Sequence, residues 1–149
     1  MDRKQIFDTL CIDEGVKYEI YADHLGYPTF GVGHLITSDD DENGLPLGTE
    51  IEKDRVWEAF EADLDIAISE CHVLYTEELF ESFPEEVKQV VVNMMFNMGR
   101  PRLSQFKKFT AGLEAGDWAT AAVEGRDSRW HKQVTNRAER LMVRLEALA

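Results

Sequence analysis

The chain has 149 residues, 44% hydrophobic and 30% charged, which suits one folded domain with its own core and excludes general disorder. Its 29 acidic residues against 16 basic ones leave a net charge of −13, which excludes a surface built for nucleic acid. No apolar run reaches the length of a membrane span, and MDRKQIFDTLCIDEG lacks the unbroken apolar stretch of a signal peptide.

The charge is uneven. Residues 1–50 hold 11 acids and 3 bases (net −8), residues 51–100 hold 12 and 4 (net −8), and residues 101–149 hold 6 and 9 (net +3). The basic third, with Arg126, Arg129, Lys132, Arg137, Arg140 and Arg144, reads equally as a face for an anionic partner and as a solvated helical face. Cys11 and Cys71 sit in no CxxC or Cys/His pattern and read as free thiols.

In chain order, residues 3–14 predict a helix: Ile6, Phe7, Leu10 and Cys11 recur at helical spacing and Gly15 is a natural stop. VKYEIYAD and YPTFGVGHLIT follow, rich in β-branched and aromatic residues and parted by a His-Leu-Gly turn, and predict a small antiparallel sheet. So small a sheet must pack on something helical. TEIE, from Thr49 to Glu52, fits a capping box. Val56, Phe60, Leu64, Ala67 and Ile68 then make the apolar face of a long helix reaching about His72. Pro84 opens a helix whose stretch VKQVVVNMMFNMG is apolar almost all round, the mark of a buried bundle centre, with Gly99 and Pro101 as its stop. Helical spacing accounts for the methionines there without a metal. Short helices are expected near 102–114, 117–124 and 128–133, and a last one at about 136–147 capped by Thr135. The fold class is α+β. It has a sheet lobe over about 15–50, a connecting helix over about 51–72, and a helical lobe over about 73–149 joined by the N-terminal helix 3–14, all one domain of residues 1–149.

Three places offer chemistry. Glu14, Asp23 and Thr29 put a carboxyl at a helix end near a second carboxyl and a hydroxyl on a sheet. Glycosidic hydrolysis needs that set: an acid that holds its proton in an apolar setting, and a pair that holds water. A helix-end acid and a turn aspartate also occur without any such role. Asp39, Asp41, Asn43 and Glu50, with Gly44 between them, match the pattern of a calcium loop. The segment entering the loop reads as strand rather than helix, so an acidic solvated loop is the preferred reading and no metal or cofactor is expected. His34 reads as a structural histidine paired with an acid of the long helix rather than as a general base.

IDEG, Y-x-D, GYPTFGVGH, VVVNMMFNMG, DWATAA, SRW and TNRAERL, in this order over nearly the whole chain, resemble the phage-type lysozymes of the T-even viruses, glycoside hydrolase family 24. The resemblance implies two lobes with a cleft between them and cleavage of the β-1,4 bond between N-acetylmuramic acid and N-acetylglucosamine in peptidoglycan. Glu14 would be the general acid, and Asp23 with Thr29 would place the attacking water, giving inversion. Leu35 and Phe96 match sugar-lining positions. Arg137 matches an arginine beside the catalytic glutamate and would stabilise its ionised form, so burial of Glu14 must offset it. His34 and Asp63 match a pair joining the sheet lobe to the long helix.

There are departures. The segment after His34 is shorter, Phe109 and Glu124 stand at two polar sugar contacts, and the strong acidity contrasts with the basic T-even enzyme. A monomer acting on bacterial cell-wall peptidoglycan is expected, with no membrane insertion. It would be made in a host cytoplasm and reach the wall through a holin-type pore or as part of a phage tail. A lytic transglycosylase and a non-catalytic wall-binding or tail module stay open as alternatives.

Overall fold

The computed structural model describes all 149 residues as an α+β fold of eight helices and one three-stranded antiparallel sheet. The chain divides into two compact units, residues 2–66 and residues 67–149 together with Met1.

In the first unit, helix α1 (Arg3–Glu14) starts where the Asp2 carboxylate accepts the Gln5 N–H at 3.0 Å, and buries Ile6 and Leu10. Strands β1 (Lys17–Ala22), β2 (Pro28–Gly31) and β3 (His34–Leu35) pair in the order β1-β2-β3. The segment YPTFGVGHLIT is thus two strands, folded at Gly31 and Gly33, both with φ of 65°. Only glycine takes that conformation cheaply. A Cβ on Gly31 would also press to 3.2 Å from a Val56 methyl, so the turn lies directly on the next helix. That helix, α2 (Lys53–Tyr75), contributes Val56 and Ala59 to a core with Ile20, Phe30, Ile36 and Ile51, against which Phe7 and Val16 pack.

The capping box expected at Thr49 is not formed. Residues 48–51 run alongside β1, where the Thr49 carbonyl accepts the Ile20 N–H at 2.9 Å and the Ile51 N–H donates to Tyr18 at 2.9 Å. The Thr49 hydroxyl donates to the Pro46 carbonyl, and the helix begins only at Lys53. Sheet pairing outcompetes the local cap.

In the second unit come α3 (Glu77–Ser82), α4 (Glu85–Leu103), α5 (Lys107–Glu114), α6 (Trp118–Arg126), α7 (Arg129–Gln133) and α8 (Thr135–Glu146). Helix α3 was not expected; the Thr76 hydroxyl caps it by accepting the Leu79 N–H. Helix α4 buries Val87, Val90, Val91, Val92, Met94 and Met95. Gly99, with φ of 76° and ψ of 164°, breaks it as expected, but the chain re-enters a helical turn at once, with Pro101 inside that turn. The helix expected from 102 therefore starts at Lys107. Thr135 is the first helical residue of α8 rather than its cap, and its hydroxyl turns back to the Lys132 carbonyl at 3.4 Å. Helices α5 and α6 approach closely at Gly112, where a Cβ would meet the Ala121 N at 2.9 Å. Cys11 and Cys71 are free thiols. No helix is long and apolar enough to cross a membrane.

Candidate active site

Glu14 is the last residue of α1. Gly15 ends the helix with φ of 77° and returns its N–H to the Cys11 carbonyl at 2.9 Å. The carboxylate reaches the β2–β3 turn: a Cβ on Gly33 would lie 4.0 Å from Glu14 Oε2. Glu14 is exposed, so the apolar setting expected for it is not built by the protein alone.

Asp23 follows β1 and is half-buried. Its Oδ1 accepts the Leu25 N–H at 2.9 Å and the Tyr27 N–H at 2.8 Å, while its own N–H donates to the Tyr27 carbonyl at 2.9 Å. An aspartate that bonds backbone two and four residues on fixes a tight turn and its own rotamer together. Thr29 lies in the central strand and is only 3% exposed. Its hydroxyl donates to the same Tyr27 carbonyl at 3.0 Å. The backbone of one residue, Tyr27, thus orients both side chains, with its N–H bonding Asp23 and its carbonyl accepting from Thr29. It consumes the Thr29 proton, so the hydroxyl faces any further partner as an acceptor.

Thr29 pairs across the sheet with Tyr21 on one side and Leu35 on the other. Paired residues share a face, so the three side chains form one row, with Leu35 49% exposed. The Tyr21 phenol is pushed up by burial first, then by the negative charges of Asp23 and Glu14. Tyr21 therefore lies within electrostatic reach of both carboxylates. Sequence reasoning passed over it as a strand residue, and the irregular register of β1 between Lys17 and Tyr21 hides its face from simple alternation.

His34, in β3, is clamped at both nitrogens: Nδ1 is 2.8 Å from Asp63 Oδ2 of α2, and Nε2 is 2.9 Å from Asp40 Oδ2. The Asp63 hydrogen bond raises the His34 pKa; burial opposes it, and Asp40 adds to it. Asp40 also accepts the Thr37 N–H at 2.9 Å and Arg55 Nη2 at 3.2 Å. Burial pushes the Asp40 carboxyl up, but Thr37, His34 and Arg55 together hold it below its ordinary value. Arg55 reaches Glu42 through Nε and Nη2, both at 2.9 Å, and holds the Glu42 carboxyl low.

These pairings order part of the acidic loop. Asp40 and Glu42 turn to His34 and Arg55, and Glu50 lies in a bridge with Glu19 beside β1. No three His, Cys, Asp or Glu side chains are grouped so as to hold a metal ion.

In the second unit Arg137, on α8, is buried and donates from Nε to Asn93 Oδ1 at 2.9 Å, so α4 fixes its guanidinium. Phe96 lies half-buried on α4. Phe109 and Glu124 line a surface pocket with Lys107, Lys108 and Asp127, Phe109 as its buried floor.

With this geometry in view, the comparisons with known proteins are direct. The profile of the family described as phage lysozyme matches residues 12–147. The chain is 32% identical to probable T4-type lysozyme 2 of Dictyostelium discoideum over 91% of its own length and 89% of that protein's. For probable T4-type lysozyme 1 of the same organism the identity is 32%, over 95% of this chain and 93% of that one. The pre-baseplate central spike protein of Enterobacteria phage T4 is 28% identical over 87% of this chain and 25% of the spike protein. The chain belongs to the phage lysozyme family. It is a lysozyme, an enzyme that hydrolyses peptidoglycan.

Proposed function

We propose that this lysozyme is a glycoside hydrolase of family 24 that cleaves the β-1,4 bond between N-acetylmuramic acid and N-acetylglucosamine with inversion. Glu14 is the general acid. Asp23 and Thr29 hold the attacking water. The observation that carries this reading is the shared Tyr27 backbone. Two backbone N–H groups lock Asp23 Oδ1, and the Thr29 proton is spent on the Tyr27 carbonyl. A water donating one hydrogen to Thr29 Oγ1 and the other to the Asp23 carboxylate keeps a lone pair for the anomeric carbon. Asp23 then takes its proton as the bond forms, while Glu14 protonates the departing oxygen.

Cations, not carboxylates, suit the negative end of a helix, so Glu14 stands against the dipole of α1. Bound sugar would add the water exclusion that the exposed residue lacks. In the first unit Leu35, in the Thr29 row, supplies apolar surface to a sugar ring; in the second unit Phe96 on α4 and Arg137 on α8 are the proposed substrate contacts.

An endolysin released through a holin-type pore and a virion-borne lysozyme share this chemistry. Similarity to a protein named as a baseplate spike supports the virion-borne role. Mass spectrometry of fragments released from purified peptidoglycan tests the reading. Hydrated muropeptides with free reducing ends from the native enzyme, and none from a folded Glu14→Gln variant, are expected. Anhydro-sugar ends, or an active variant, would refute it.

A further inference from the structure

We infer that Asp40 and Arg55 are positioning residues for the hydrolysis, holding the Gly33–His34 segment beneath Glu14 through a clamp on His34 that closes fully only around the imidazolium.

The chain of contacts is continuous. Glu14 Oε2 lies over Gly33, at 4.0 Å from where a Cβ would stand. Gly33 sits at φ of 65° and is fixed on its far side by His34. The imidazole meets carboxylates on both nitrogens, Asp63 at 2.8 Å and Asp40 at 2.9 Å. The Phe30 ring of β2 lies against it with centroids 5.0 Å apart. The charged groups around the ring are therefore Asp63 on α2, Asp40 on the loop, and Arg55 and Glu42 one contact further out. Two carboxylate oxygens this close to two ring nitrogens need two N–H donors. Imidazolium has both, whereas neutral imidazole has one donor and one acceptor.

On deprotonation one nitrogen lone pair faces a carboxylate oxygen, and one of the two contacts opens. Asp63 is borne by a helix. Asp40 is borne by a loop held otherwise by Arg55, the Thr37 N–H and its own turn. The loop contact is the one that gives, and His34 and Gly33 lose one of their two anchors. The short loop after β3 thus ties the alkaline side of the activity profile to a residue that never touches substrate.

This inference rests on Glu14 being the acid, and the test separates the two. The native enzyme and Asp40→Asn are compared in kcat/KM across about pH 5.5 to about pH 8.5, with His34 followed by the NMR shift of its ring proton. The ratio of the two profiles cancels any pH dependence common to both proteins. The amide introduced at position 40 can donate as well as accept, so it suits the neutral ring.

In the native enzyme, activity and amide-exchange protection at Gly33 and His34 should fall as His34 deprotonates. In Asp40→Asn the His34 titration should move to lower pH, with the loss of an anionic partner, yet activity should persist beyond it. The native-to-variant ratio should then change about tenfold over the range. An Arg55→Gln variant should lower activity across the whole range, with its largest deficit on the alkaline side. A flat ratio, or a variant that loses activity as its His34 deprotonates, would overturn the inference. Glu14→Gln, run in parallel, should be inactive at every pH. Activity in that variant would overturn the acid assignment and the inference with it.

Discussion

The two units use the same residue types to different ends. In residues 2–66 a histidine, an arginine and four carboxylates (His34, Arg55, Asp40, Glu42, Glu58 and Asp63) form one connected network, and His34 is engaged at both nitrogens. In residues 67–149, Arg126 binds Glu139 and Glu146, and His131 binds Glu139 through Nε2 alone. The first network is mostly shielded, with side-chain exposures of 12% for His34 and 15% for Asp40; Glu139 in the second is 42% exposed. Arg126 holds the Glu139 carboxyl at about 2, with His131 adding to it, yet so exposed a group is screened by solvent and salt. The first network orders a loop and a turn beside the candidate acid. The second ties together helices that already pack through Ala121, Ala122, Ala138, Leu141 and Met142. The candidate acid thus lies where glycines and ion pairs hold irregular backbone, whereas the second unit rests on apolar helix faces that meet.

The sharpest way to break this division is a pair of variants. Glu14→Gln should lower kcat by about 10²–10⁴, the ordinary worth of a general acid, while the protein stays folded at assay temperature. Leu141→Ala, at a site 2% exposed, should cost about 2–5 kcal/mol of stability by urea unfolding while kcat holds at temperatures where the variant is folded. An activity loss in Leu141→Ala out of proportion to its unfolding would mean that the units are not so divided.

Within the networks, His34→Gln should cost about 1–3 kcal/mol, because it strands shielded carboxylates. Glu139→Gln should cost less, and the difference should fade in high salt.

pH dependence sharpens the contrast further. The His34 pKa is raised in the folded protein. Its contribution is therefore complete below its unfolded value of about 6.5 and is lost as pH rises through the folded value. Asp40 and Glu42 are lowered. Their contributions are present above the ordinary carboxylate range and are lost as pH falls through their folded values. Urea titrations of the native protein should show both flanks, and His34→Gln should remove the alkaline one.

The smallest expected effect is that of salt. A net charge of −13 should repel the enzyme from anionic cell wall. Wall-clearing activity should first rise with salt, as screening shortens the reach of that repulsion to about 10 Å near 0.1 M, then fall as binding weakens. A monotonic fall from low salt would contradict this.

Much of the architecture was legible because it follows periodicity. The apolar face of α2, the all-round burial of α4 and the sheet in the first unit all show in the spacing of residues. What escaped the sequence was decided by competition between local and distant partners. TEIE has the pattern of a cap, but Thr49 and Ile51 spend their backbone on β1. Gly99 looks like a terminus, yet it is a kink because the chain resumes a turn at Arg100. Helix α3 opens at Thr76 with φ of 71°, a conformation no β-branched residue advertises.

The candidate site divides likewise. Glu14, Asp23, Thr29 and the His34–Asp63 pair were named from motif and resemblance. The Tyr27 backbone, Tyr21, Asp40 and Arg55 were not, since a backbone N–H or carbonyl has no sequence signature and an acidic loop does not declare which of its carboxylates turns inward.

The most direct test of the account is the anomeric configuration of the first product. Proton NMR can follow the new reducing end during hydrolysis of a defined muropeptide oligomer, faster than it mutarotates. A water held by Asp23 and Thr29 would attack the face opposite the departing oxygen, so the α-anomer should appear first and the β-anomer only later. A β-anomer as the first product would mean retention, and the water-holding role of Asp23 and Thr29 would be wrong.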